Sequence, residues 1–185
     1  RIRKKSCRIG CIFVKRQKLK QTPGILHFCG CLVLIFKINI SMFIKQIYTD
    51  CIGEAAYFVE SDGEAIVIDP LRDIDVYLQL AQEHNATIKY IFETHFHADF
   101  VSGHLDLSEK SGAPIVYGPE THAAFKFHLA KDGEIFKIGN IKIEVLHTPG
   151  HTLESSCYLL KDETEKSYCI FTGDTLFVGD VGRPD

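Results

Sequence analysis

The chain has 185 residues, enough for one domain with a buried core, and 45% hydrophobic with 24% charged residues is the composition of a soluble globular protein. Its net charge of −3 averages two unlike pieces: residues 1–41 hold ten basic side chains and no acidic one, whereas residues 42–185 hold 11 basic against 24 acidic, a net of −13. The basic residues of the first piece are not interleaved with aromatics and the second piece is acidic, so no nucleic-acid partner is expected.

The single methionine, Met42, opens a strand-like run, and the domain is expected to begin there, with residues 1–41 a basic extension outside it. Three other readings of that extension stay open: a signal or anchor segment, a transit peptide and a basic arm. The apolar stretch 25–36 is short for a membrane span and no small-residue cleavage site follows it, so a membrane role is not expected. Four of the seven cysteines (Cys7, Cys11, Cys29, Cys31) lie in the extension. Cys51, Cys157 and Cys169 have no Cys-x-x-Cys spacing, so neither a zinc knuckle nor a disulfide framework is indicated and a cytoplasmic setting is expected.

From Met42 onward, residues 43–48, 55–60 and 65–68 read as an antiparallel meander, with a Ser61-Asp62-Gly63-Glu64 turn before the third strand. Apolar residues at Ile74, Tyr77, Leu78 and Ala81 predict a helix over 73–85, capped by Asp73. A buried strand over 88–92 follows, then a short helix at 106–110, a strand at 114–117 and a helix at 119–129. Residues 134–138 and 141–146 flank Gly139-Asn140 as a second hairpin, and 156–160 with 168–171 form a third pair. A β-rich unit thus passes into βαβ order, an α/β (α+β) arrangement.

Three of these strands empty into tight loops bearing metal-type side chains. The strand at 88–92 leads to His95, His97 and Asp99 at two-residue intervals, the strand ending at Leu146 leads to His151, and the strand ending at Phe171 leads to Asp174. Imidazole and carboxylate are the donors that borderline divalent metals accept, and loops at strand ends converge on one edge of a layered fold. Glycines beside His151 and Asp174 suit a close backbone approach.

Thr94-His95-x-His97-x-Asp99, Thr148-Pro149-Gly150-His151-Thr152 and Thr172-Gly173-Asp174-Thr175 together resemble the metallo-β-lactamase superfamily over nearly all of residues 42–185. The resemblance implies an αββα sandwich with a metal site at one edge of its sheets, His95, His97 and His151 at the first-metal positions and Asp174 beside them. Members of that superfamily continue with another His-bearing segment and further strands and helices, so a domain ending at Asp185 is expected to be C-terminally truncated, less stable alone and inactive as a fragment.

One departure narrows the chemistry. The usual His-x-His-x-Asp-His motif ends here in Phe100, and a phenyl ring ligates no metal. The expectation is a mononuclear site in which His95, His151 and Asp174 form a facial triad on one Fe(II) per chain, with His97 and Asp99 orienting ligands from behind or holding an alternative metal. The run Asp174 to Asp185, with Gly179, Gly182 and Arg183, is similar to persulfide dioxygenases of the bacterial kind often fused to rhodanese domains. That similarity implies oxidation of a thiol persulfide, such as glutathione persulfide, by O₂ to sulfite and thiol in sulfide detoxification, with Arg183 pairing a substrate carboxylate or, equally, a structural one. The alternative is a zinc-dependent thioester hydrolase of the glyoxalase II type; a second is an inactive fragment or binding module. Homo-oligomerisation is compatible with either enzyme. His84, His122 and His128 read as surface or partly buried histidines, His104 and His147 as loop buttresses, Cys157 and Cys169 as core residues and Asp69 as a brace at a strand end.

Overall fold

A computed structural model describes residues 42–49 and 53–183, together with the backbone of residues 11–13. The rest of the basic extension, residues 50–52 and the last two residues lie outside what is described.

Two sheets face each other. The six-stranded sheet takes β2 (Phe43–Thr49), β3 (Glu54–Ser61), β4 (Glu64–Ile68), β5 (Thr87–Phe92), β6 (Ile115–Tyr117) and β7 (His128–Leu129) in spatial order, antiparallel from β2 to β4 and parallel from β4 to β7. The five-stranded sheet is wholly antiparallel, in the order β1 (Cys11–Phe13), β11 (Ser167–Phe171), β10 (Ser156–Lys161), β9 (Ile141–His147) and β8 (Ile135–Ile138). Helices α1 (Asp75–Glu83) and α2 (His104–Ser111) cover the outer face of the first sheet.

The period of two along a strand builds both cores. On β3, Ala55, Tyr57 and Val59 point between the sheets against Phe136, Ile143, Val145, Tyr158 and Phe171, while Ala56 and Phe58 point the other way, toward Ile74 and Tyr77 of the α1 segment and Leu107 of α2. A strand buried on both faces reads as a continuous apolar run, which is why 55–59 shows no alternation in sequence. Each fully buried Phe or Ile here contributes about 1.5–3 kcal/mol.

Among the described residues, helices lie on one outer face only, so the second helical layer of the expected αββα arrangement is not among them. The helix expected over 119–129 is absent: Glu120 adopts φ 62°, Phe125 and Phe127 pack as alternating residues against Tyr117, and His128–Leu129 pairs with β6. The segment runs as a turn at 119–120 and a bend at 124–125 before the short strand, and its aromatic side chains go to the cluster around Tyr117 rather than to a helical face. The cap of α1 also shifts by one residue. Ile74 occupies it without a side-chain bond, and Asp73 instead accepts from the Asp75 N–H at 3.3 Å. Among the described residues no helix is long and apolar enough to cross a membrane.

Candidate metal centre

Strand direction places the candidate residues. β4 and β5 run parallel and end side by side, delivering Asp69 and the 93–103 loop; β9 and β11 both pair antiparallel with β10 and therefore end together, delivering His151 and Asp174. Bonds between the sheets bring the two pairs of ends together: Ser156 N–H donates to Thr94 O at 2.9 Å, the Tyr158 hydroxyl to Glu93 O at 2.6 Å, and Phe96 N–H to Glu154 Oε1 at 3.0 Å.

His95, His151 and Asp174 converge, with one ligand atom from each lying within 4.8 Å of the others. Both imidazoles are oriented from behind. Thr94 Oγ1 donates to Asp69 Oδ2 at 2.9 Å, so its oxygen accepts from His95 Nδ1–H at 3.0 Å, and Nε2 of His95 is left as the free donor atom. On His151, Nδ1–H donates to the Arg183 carbonyl at 2.8 Å, while Nε2 stands 3.8 Å from Asp174 Oδ2. Burial, reinforced by the neighbouring His97, holds His95 below the ordinary imidazole range, so it is neutral and able to ligate. These donors fit a borderline divalent ion: two imidazole nitrogens in a fixed tautomer and one carboxylate.

His97 belongs to a different group. Its Nε2 donates to Asp69 Oδ1 at 3.1 Å and lies 3.3 Å from Glu93 Oε2, within a second set of metal-type side chains formed by Asp69, Glu93 and His97. Burial disfavours its charge, but the two carboxylates outweigh burial and raise His97 well above the ordinary imidazole range. Its ring packs 4.3 Å from that of His95 and 4.4 Å from that of Phe100. Asp99 is exposed on the same loop. Arg183 meets the site through its backbone carbonyl, and its residue is exposed.

Gly173 fits the expected close approach: it has φ +47°, and a Cβ there would stand 2.3 Å from Thr94 Oγ1. Gly150 does not, since open space surrounds the position of its Cβ and its φ is unremarkable.

Glu54 and Glu93 belong to the site without any signal in the motif. Glu54 opens β3 and lines a cavity of about 20 Å³, room for roughly one water, with Asp69, Gly173, Asp174 and Phe177. Burial and then the charges of Asp69, Asp174 and Asp99, partly offset by His97, push its carboxyl up to about 8. Glu93 is wholly buried immediately after the apolar end of β5. An acidic residue directly following a fully buried run was the one available clue to it.

The family model of the metallo-beta-lactamase superfamily matches residues 49–185. The chain belongs to the metallo-beta-lactamase superfamily. Within that superfamily it is 35% identical over 133 residues to the probable hydroxyacylglutathione hydrolase glo2 of Schizosaccharomyces pombe, a match covering 69% of this chain and 51% of that protein. Among solved structures, a metallo-beta-lactamase from Staphylococcus aureus is 41% identical with a TM-score of 0.72, over 78% of this chain and 47% of that one. ETHE1 from Myxococcus xanthus is 29% identical with a TM-score of 0.67, over 77% of this chain and 62% of that one. This superfamily chain spans about half the length of the curated relatives it matches.

Proposed function

We propose that this superfamily member is the N-terminal and central part, residues 42–185, of a mononuclear Fe(II)-dependent persulfide dioxygenase, with His95, His151 and Asp174 as the metal ligands. The observation that carries this reading is the separation of the two histidines of the His-x-His motif: His95 joins His151 and Asp174, while His97 is held by Asp69 and Glu93 and backed by Phe100. A phenyl ring at the last motif position withholds a ligand from a second metal, which disfavours a two-metal hydrolase.

Fe(II) held by such a triad supplies a Lewis-acidic centre with open positions for a thiol persulfide and O₂. The rest is the work of the protein. Thr94 and the Arg183 carbonyl hold the Nδ1 side of His95 and His151, which fixes the orientation of both rings for ligation through Nε2. Asp69 holds Thr94 through both its backbone N–H and its hydroxyl. Glu54 faces the cavity, and in the metal-free protein burial and the neighbouring carboxylates push its carboxyl up to about 8, so that it can donate to a substrate atom as well as accept. The Arg183 guanidinium is assigned to a substrate carboxylate, as in a glutathione-like carrier. In the overall reaction the outer sulfur is oxidised by O₂ and takes a further oxygen from water, leaving as sulfite, while the inner sulfur leaves as the thiol.

The identity to a hydroxyacylglutathione hydrolase favours a second reading, a zinc-dependent thioester hydrolase using the same loops. Anaerobically reconstituted full-length protein distinguishes the two: O₂ consumption coupled to sulfite release from glutathione persulfide supports the dioxygenase, and zinc-dependent thioester turnover without O₂ consumption replaces it with the hydrolase.

A further inference from the structure

Glu93 is an acidic residue buried at the end of an apolar strand. Its side chain is wholly enclosed, its Oε1 takes the Ser102 hydroxyl at 2.6 Å, and Oε2 has no aligned hydrogen-bond partner among the described residues. Two imidazoles lie close to it without forming aligned hydrogen bonds, His97 Nε2 at 3.3 Å from Oε2 and His104 Nδ1 at 3.4 Å from Oε1. A carboxylate so placed is a poor stabiliser of a fold. Desolvation opposes it, and the preceding Ile91 and Phe92 show that this strand packs well with apolar side chains. Burial would push the Glu93 carboxyl up, yet His104 and His97 reverse the direction and keep it ionised.

What the carboxylate does accomplish is geometric. It meets three parts of one segment: His97 in the loop, Ser102 at its end and His104 at the start of α2. Ser102 is itself tied to the Asp69 side of the site, since its hydroxyl lies 3.0 Å from Pro70 O and Gly103 N–H donates to the same carbonyl at 2.9 Å. Asp69 and Glu93 therefore grip His97 Nε2 together, and this ring lies against that of His95. His97 Nδ1 is left buried and without a partner among the described residues.

We propose that Glu93 is a positioning residue of the metal centre, acting through His97 to hold the 95–103 loop in the conformation that presents His95 to His151 and Asp174. The proposal rests on the assignment of those three residues as metal ligands and is independent of which reaction they serve. It also gives the Asp69, Glu93 and His97 cluster a role that needs no second metal.

The test is Co(II) binding to the full-length protein, followed by visible d–d absorption, with thermal unfolding of the metal-free protein in parallel. The unaltered chain is expected to bind one Co(II). Glu93→Gln keeps the shape and the acceptor for Ser102, and is expected to bind Co(II) about 10- to 100-fold more weakly, with an altered d–d band and unfolding still cooperative. In a His97→Gln background the same change is expected to add nothing, because the route through His97 is already cut. Should Glu93→Gln fail to fold, Glu93→Asp retains the charge but withdraws it by one methylene and is expected to show the same weakening. Unchanged affinity and spectrum in a folded Glu93 variant would overturn the proposal, as would an undiminished effect in the His97→Gln background. A second Co(II) lost on changing Glu93 would make it a ligand and overturn the positioning role. No Co(II) binding by the unaltered chain would remove the ligand assignment itself, and the proposal with it.

Discussion

Asp69→Asn tests the orienting network where it is most concentrated. Asp69 has φ 49° and is buried, and asparagine tolerates that left-handed conformation, so the backbone is unaffected. The carboxylate receives Thr94 N–H at 2.7 Å and His97 Nε2–H at 3.1 Å on Oδ1, and the Thr94 hydroxyl at 2.9 Å on Oδ2. An amide matches only one of these two oxygens. If its carbonyl takes the Oδ1 side, its NH₂ confronts Thr94 Oγ1, and the Thr94 hydroxyl proton is left without an acceptor beside His95. An orphaned buried donor costs about 1–3 kcal/mol, and replacing a charge-assisted bond to His97 by a neutral one costs about 1 kcal/mol more. Urea unfolding of the metal-free chain should therefore show a loss of about 2–4 kcal/mol. Metal affinity should fall about 10- to 100-fold through the loosened His95 tautomer. A variant within about 0.5 kcal/mol of the original and with unchanged metal affinity would refute the relay from Asp69 through Thr94 to His95.

Phe100→His restores the ligand missing from the motif next to Asp99 and should raise metal content from one toward two per chain by elemental analysis; an unchanged content would show that Phe100 is not what limits the site to one metal. Glu54→Gln removes a carboxyl held at about 8 in the folded chain against 4.5 for the unperturbed group. Over that window the folded state binds the extra proton, so the stabilisation is complete below 4.5 and is lost as pH rises through 8, a slope of at most about 1.4 kcal/mol per pH unit. Denaturation of the metal-free protein at several pH values should show that slope disappear in the variant. Gly173→Ala forces a Cβ against Thr94 and demands a positive φ of alanine, so a drop in thermal midpoint together with weakened metal binding is expected.

Much of this organisation was legible because strand ends announce themselves: a β-branched or aromatic run closing on His or Asp, as at Phe92, His147 and Phe171, marks both the element and the loop it presents. Their convergence followed from topology once β4 and β5 were parallel. The departures have local causes. Residues 119–129 carry enough apolar side chains for a helix, yet their Phe-x-Phe spacing serves an aromatic cluster around Tyr117. Glu54 and Glu93 are easily passed over because an acidic residue at a strand end looks like solvent-facing punctuation, and for Glu93 the apolar run before it is the one clue. Only three-dimensional packing shows that Glu54 opens onto the cavity and that Glu93 is enclosed. Arg183, singled out for its guanidinium, also contributes a backbone carbonyl, a contact no side-chain pattern encodes.

The most direct test of the central claim is metal-specific turnover of the full-length protein, loaded anaerobically with either Fe(II) or Zn(II) and given glutathione persulfide and a glutathione thioester in turn. One iron per chain is expected, with O₂ uptake matched by sulfite release with the persulfide alone. Thioester hydrolysis by the zinc form, with no O₂ uptake from the iron form, would contradict it.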